Sequence, residues 1–260
     1  MLTILGTFHC LADSQDKLFY DAVRAEASGD LDRALEIYSE IAQTYHSANL
    51  HANIANLYLD IEDYARSVLH FRKAIWLAPD NREYFENLNF ALEMSHVPKK
   101  EINTHKPYFS ARHQTKWLMA FTMFFWGGMI LAVLLAHRMV NKPQIITSST
   151  LWLSCLAFLA WGWSQSFENS TKLNREVIAV NSLNGNDKGL PLRVFAGKGS
   201  QANTTVPLGA SLFLDLSKEG LVKVHQSPTG EKWFLARSKS GKDKGWLQRS
   251  EFEPILDLEL

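Results

Sequence analysis

Residues 117–136 (WLMAFTMFFWGGMILAVLLA) run for 20 positions without a charge. At 1.5 Å of rise per residue, that length crosses a hydrocarbon core of about 30 Å. A second uncharged run, Ile145 to Trp163, comes after the short connector HRMVNKPQ (residues 137–144). Its early hydroxyls, Thr147, Ser148, Ser149 and Thr150, can bond the carbonyls of their own helix, so they do not forbid insertion. Trp117, behind Arg112 and Lys116, and the pair Trp161 and Trp163 stand where interfacial aromatic belts lie. Two spans joined this tightly form an antiparallel hairpin, which puts the chain before residue 117 and the chain after residue 163 on the same side of a membrane.

Which side is decided by weaker signals. Arg138 and Lys142 in the connector favour the cytoplasm for it. Lys99, Lys100, Lys106, Arg112 and Lys116 before the first span argue the other way. The start, residues 1–12 (MLTILGTFHCLA) before an acidic stretch, resembles a secretory signal without its basic leader. That start turns the expectation towards a bacterial inner membrane with both flanking domains in the periplasm. The only cysteines, Cys10 and Cys155, lie in apolar segments, which excludes a disulfide framework and a thiolate zinc site. With 27 basic and 27 acidic residues, and no basic tract, nothing points to nucleic acid.

Residues 16–94 carry an internal repeat. GDLDRALEIY (residues 29–38) matches EDYARSVLHF (residues 62–71) at a spacing of 33. Ala22, Ala34, Ala55 and Ala74 take small positions, Tyr38, Tyr58, Tyr64 and Phe71 take large ones, and Pro79 stops the second unit. The pattern resembles the tetratricopeptide repeat, with units at Asp16–His46 and Leu50–Asn81 and a capping helix at Glu83–Met94. It departs at Glu62, where glycine is usual, at Asp21, which takes a normally apolar site, and at the missing proline after the first unit. The resemblance implies stacked helical hairpins whose first helices line a shallow peptide groove. On the aligned positions Asn49, Ala52, Asn56, Glu83, Glu86 and Phe90 point into that groove. Asparagine suits it, since its amide both donates to and accepts from a peptide backbone. In the linker, residues 95–116, His96, His105 and His113 lack metal-ligand spacing.

Past Ser164 the signature changes to short β runs: residues 176–180, 190–195, 210–215, 221–225, 233–237 and 245–248, with turns at SPTG (227–230) and SGKD (240–243). So many short strands in residues 175–260 predict a small all-β barrel or sandwich. RVFAG (193–197), the LSKEG turn (216–220), WFLA from Trp233 and GWLQRSEFEPI (245–255) resemble, in that order, a bacterial SH3 domain with a 3₁₀ turn near its end. The resemblance implies a candidate aromatic surface at Trp233 and Trp246, with Trp246 as core the competing reading.

Nucleotide-binding glycine loops, HExxH and GxSxG are all missing, and GKGS (197–200) lacks the helix a phosphate loop needs. No catalytic residue, cofactor or metal is expected. The order of signal-like start, repeats, two-span hairpin and SH3-like domain resembles the BatE-type, repeat-containing members of the bacterial aerotolerance (Bat) proteins. That resemblance implies von Willebrand A-domain membrane proteins and MoxR-type ATPases as partners, in envelope stress or aerotolerance. Two function classes stay open, a non-catalytic scaffold and a peptidoglycan-binding module, with an accessory or sensor to an enzyme on another chain as a third.

Overall fold

The computed structural model describes residues 16–98, 109–136, 142–182, 189–228 and 230–256. The signal-like start with Cys10, residues 99–108 of the 95–116 linker and most of the connector between the apolar runs lie outside the described residues. The chain forms two compact units: residues 105–174, and a second built from residues 1–104 together with 175–260.

In the larger unit, helices α1 (residues 16–27), α2 (Leu31–Thr44), α3 (Ala48–Asp60), α4 (Tyr64–Leu77) and α5 (Arg82–Met94) succeed one another through short turns. The punctuation repeats. Asp30 and Asp63 cap α2 and α4 by accepting from the backbone N–H of Arg33 and Arg66. α1, α3 and α5 each end in a left-handed residue, Gly29 (φ 81°), Glu62 (φ 63°) and His96 (φ 59°). After each, the next backbone N–H reaches back to Ala25, Tyr58 or Leu92, which closes the helix end. The four alanines are fully buried where helices cross, as are Tyr38 and Phe71, while Tyr58 and Tyr64 are half-buried.

The same unit holds strands β1 (Glu176–Ala179), β2 (Leu190–Arg193), β3 (Ala202–Val206), β4 (Ser211–Leu214), β5 (Val224–Gln226), β6 (Lys232–Ser238), β7 (Lys244–Gln248) and β8 (Phe252–Pro254). They form one antiparallel sheet in the order β3-β2-β7-β6-β4-β1-β8, with β5 paired to the first half of β6. The order does not return on itself, so the barrel expected from the sequence is an open sheet at this level. Its edges explain why: β3 is exposed at most positions, and β8 ends in Pro254, which has no N–H to extend a ladder. Both expected hairpin turns form, and the 3₁₀ turn stands at Arg249–Glu251. Every residue of β1 is buried. One face looks into the sheet's own core; the other packs against α4.

The smaller unit is a pair of long helices, α6 (Gln114–Ala136) and α7 (Lys142–Leu173), preceded by a 3₁₀ turn at Ala111–His113. α7 continues ten residues beyond the apolar run that ends at Trp163. Nothing in SQSFENSTKL breaks a helix, and Glu168 and Lys172 pair across one turn at 2.6 Å. The helices are antiparallel and meet through tryptophans set over glycines. A Cβ on Gly128 would lie 2.0 Å from Trp152, and one on Gly162 would lie 2.6 Å from Trp117. The Trp152 indole N–H donates to the Phe124 carbonyl at 3.2 Å, and the Ser166 hydroxyl donates to the Ser110 carbonyl at 2.5 Å. Both helices are long and apolar enough to cross a membrane, and at most 6% of either span is buried.

Candidate interaction surfaces

The caps at Gly29, Glu62 and His96 put α1, α3 and α5 in one register. Asn49 and Glu83 then correspond, as do Ala52 and Glu86, and Asn56 and Phe90. Asn49, Asn56, Glu83 and Glu86 are exposed, and Phe90 keeps 54% of its surface in solvent. Ala52 does not belong with them: it is 6% exposed, a small residue at a helix crossing. Asn49 is partly engaged, because its side-chain oxygen accepts from the Tyr84 hydroxyl and so ties α3 to α5. Glu86 pairs with Arg82 at 2.8 Å. The same register on α1 brings Tyr20 (69% exposed) and Val23 (41% exposed) into line with Asn53 and Asn56. Sequence reading missed these two, although the 33-residue spacing that located Asn56 also locates Val23. The row therefore runs from apolar side chains on α1, through asparagines on α3, to Phe90 on α5.

Beneath that row the core is fixed by Tyr38, whose hydroxyl donates to Glu26 at 3.1 Å. Burial, and then the neighbouring Glu26 carboxylate, push the Tyr38 hydroxyl up to about 12. An open depression of about 330 Å³ lies between α1 and α2, lined by Leu18, Asp21, Arg24, Arg33 and Glu40 among others, and by none of the row.

On the sheet, Trp233 is fully buried, so it is core and not the surface residue expected. Its indole lies under the Arg193 guanidinium, 5.3 Å from the ring centre, and Arg193 is held at 2.8 and 3.0 Å by both oxygens of the fully buried Glu251. Trp246 is half-buried and meets exposed His225 edge-on at 6.2 Å, so the aromatic surface pairs Trp246 with His225. GKGS is a turn, its Lys198 paired with Glu231. Asp215 is buried between Arg237 and Lys244. Burial alone raises its carboxyl, but hydrogen bonds from Lys244 and Arg237 outweigh that and hold it below the ordinary 3.8.

The helical repeats and the sheet are clasped by polar contacts no spacing announced. Arg72 of α4 pairs with Glu176 of β1, whose side chain is 4% exposed. Arg66, itself paired with Asp63, donates to the Asn181 side chain at 3.0 Å and approaches Glu253 at 4.0 Å. The turn at Gly209 (φ 86°) comes so close that a Cβ there would lie 2.9 Å from the Ser95 hydroxyl. Among the described residues no group of three or more His, Cys, Asp or Glu side chains is placed to hold a metal ion. The chain matches no family model, and no curated protein matches it significantly.

Proposed function

We propose that the chain is a non-catalytic, membrane-anchored adaptor. The observation that carries this reading is the division of labour between its two units. The larger unit closes its own apolar cores, whereas the α6–α7 pair turns Met119, Met123, Trp126, Ile130, Val133, Leu151 and Phe158 outwards along its length. A two-helix pair with that surface is unfavourable in water and suited to lipid. In this reading α6 and α7 anchor the chain in a bacterial inner membrane, with the soluble unit in the periplasm. The helical hairpins act as tetratricopeptide repeats, and the row from Tyr20 through Asn56 to Phe90 receives an extended segment of a partner. The Bat-type resemblance names von Willebrand A-domain proteins, together with a MoxR-type ATPase, as the partner class. Cysteines at Glu83 and Lys218, in a chain with Cys10 and Cys155 replaced by serine, test the topology. Labelling of both in intact spheroplasts by an impermeant thiol reagent is the expected result; protection of both until lysis refutes the periplasmic placement, and one labelled with one protected refutes the hairpin. Crosslinking to von Willebrand A-domain proteins, lost in an Asn56→Ala/Phe90→Ala variant, tests the row.

The edge-on pair of exposed His225 and half-buried Trp246 favours a second reading, in which the sheet is an SH3-like domain that binds peptidoglycan peptides. Retention of the protein on purified sacculi, abolished by Trp246→Ala, is the outcome that reading requires.

A further inference from the structure

The registers of β5, β6 and β7 gather one set of side chains on a common face of the sheet. Opposite residues of an antiparallel pair project to the same side, as do alternate residues of one strand. Leu235 and Arg237 of β6 therefore share a face with Trp246 and Lys244 of β7, which lie opposite them. On the other flank of β6, His225 lies opposite Trp233, and the Leu235 backbone N–H donates to the Lys223 carbonyl at 3.2 Å, so Lys223 and His225 continue the same face. Phe234, Ala236 and Leu247 project to the opposite side, where they are fully buried in the sheet's core.

Charge on the outer face is lopsided. Asp215 joins it beside Leu235, whose carbonyl accepts from the Asp215 backbone N–H at 2.8 Å. The Asp215 carboxylate is almost wholly covered, and it holds both Arg237 and Lys244, whose side chains keep 48% and 47% of their surface in solvent. Lys223 adds a third cation. The other acids nearby do not redress the balance: Glu251 is spent on Arg193, Glu231 on Lys198, and Asp243 accepts from Ser238 at 3.3 Å. Three cations thus stand against one covered carboxylate, around a platform made by half-buried Leu235 and Trp246 with exposed His225 at its rim.

Carboxylates set beside apolar side chains match that face. Asp215 takes the Nε and Nη2 donors of Arg237, which leaves Nη1 to donate outwards, and a lysine has three donors to share. A basic segment finds no counter-charge there, because the one carboxylate is already held by two cations. We propose that this face docks an acidic, apolar segment of a partner protein, with its carboxylates on Lys223, Arg237 and Lys244 and its apolar side chains on Trp246. It shares with the peptidoglycan reading only that the sheet binds a peptide; the occupant here is a protein segment selected by charge. The adaptor then carries two docking surfaces, the row on the helical repeats and this one on the sheet.

The test uses the full chain in phosphatidylcholine nanodiscs and three fluorescein-labelled peptides, the acidic GDELLDG, its neutral isostere GNQLLNG and the basic GKKLLKG, read by fluorescence anisotropy. The acidic peptide should bind about tenfold more tightly than the neutral one, the worth of about two exposed ion pairs, and the basic one should not bind. Raising salt from about 0.05 to about 0.5 M should remove most of that preference. Lys223→Glu should bring the acidic peptide down to the affinity of the neutral one, and Trp246→Leu should weaken both alike. If Lys223→Glu fails to fold, Lys223→Gln is expected to give a smaller loss in the same direction. Equal binding of the acidic and neutral peptides overturns selection by charge while leaving a peptide-binding sheet intact, and binding of none of the three overturns the docking face itself. Retention on purified sacculi that Lys223→Glu abolishes gives the face to peptidoglycan and overturns the protein occupant.

Discussion

Replacing Glu251 by alanine should open the β2–β7 side of the sheet. Arg193 is 2% exposed, and both its terminal nitrogens bond Glu251, which is 0% exposed. Glu251 also accepts from the Gln248 backbone at 2.8 Å, so its loss orphans one charge and one amide. Removing one partner of a buried ion pair costs about 3 to 5 kcal/mol, because the survivor stays buried and unpaired. At about 1.4 kcal/mol per factor of ten, that is a fall of roughly 100- to 1,000-fold or more in the hydrogen-exchange protection of β2, β6 and β7. The assay is exchange mass spectrometry on the full chain, read peptide by peptide, with α2 as the internal control. Arg193→Met/Glu251→Leu should recover most of the protection, because apolar residues of similar volume carry no desolvation penalty. Protection in Glu251→Ala within tenfold of the unmodified chain would refute the reasoning, as would a double variant worse than the single one.

Glu62 sits at φ 63°, a conformation that disfavours side chains bearing a Cβ, so Glu62→Gly should stabilise the helical repeats by about 1 kcal/mol and raise their thermal midpoint. Gly162→Leu should part α6 from α7, since Trp117 occupies the space; disulfide yield between cysteines at Ser110 and Ser166 should fall, and Trp117→Ala should restore it. Asp215 is held below 3.8, so its contribution is present at neutral pH and is lost as pH falls through its lowered value. The sheet's melting temperature should therefore drop below about pH 4, and Asp215→Asn should remove that part of the acid sensitivity.

Much of the architecture was legible because it rests on local chemistry. Asp30 and Asp63 announce helix starts, Gly29 announces an end, and the uncharged runs announce α6 and most of α7. What escaped were features whose causes lie far apart in the chain. β3 (ANTTV) is a polar edge strand without alternation, and β8 is three residues long and ends in proline. Trp233 and Phe234 are both fully buried, because β6 packs on two faces, so a period of two could not assign Trp233 to the core. Arg193 and Glu251 are 58 residues apart, and neither type advertises burial until its partner is known. In the groove row, the register placed Asn49, Asn56, Glu83, Glu86 and Phe90 at exposed positions, and failed only for Ala52, whose size fits equally a groove floor or a helix crossing.

The repeat also shows where symmetry is broken. Arg33 and Arg66 occupy the same position, three residues after capping aspartates, and each has an acidic neighbour on its own hairpin. Arg33 stays in solvent with Glu36, whereas Arg66 reaches Asn181 and Glu253 on the sheet. The difference lies one turn and a half further on, where the first hairpin has Ser39 and the second has Arg72. A serine cannot span to a strand, but an arginine can, and Glu176 on β1 waits for it with a side chain that is 4% exposed. Two hairpins of one pattern thus acquire different duties: one keeps its outer surface in water, and the other holds a β-sheet through Arg66 and Arg72. An Arg72→Ser variant, which restores the first hairpin's residue, leaves Glu176 buried without its cation, so the clasp loses the contact that orients it while both folds keep their own cores.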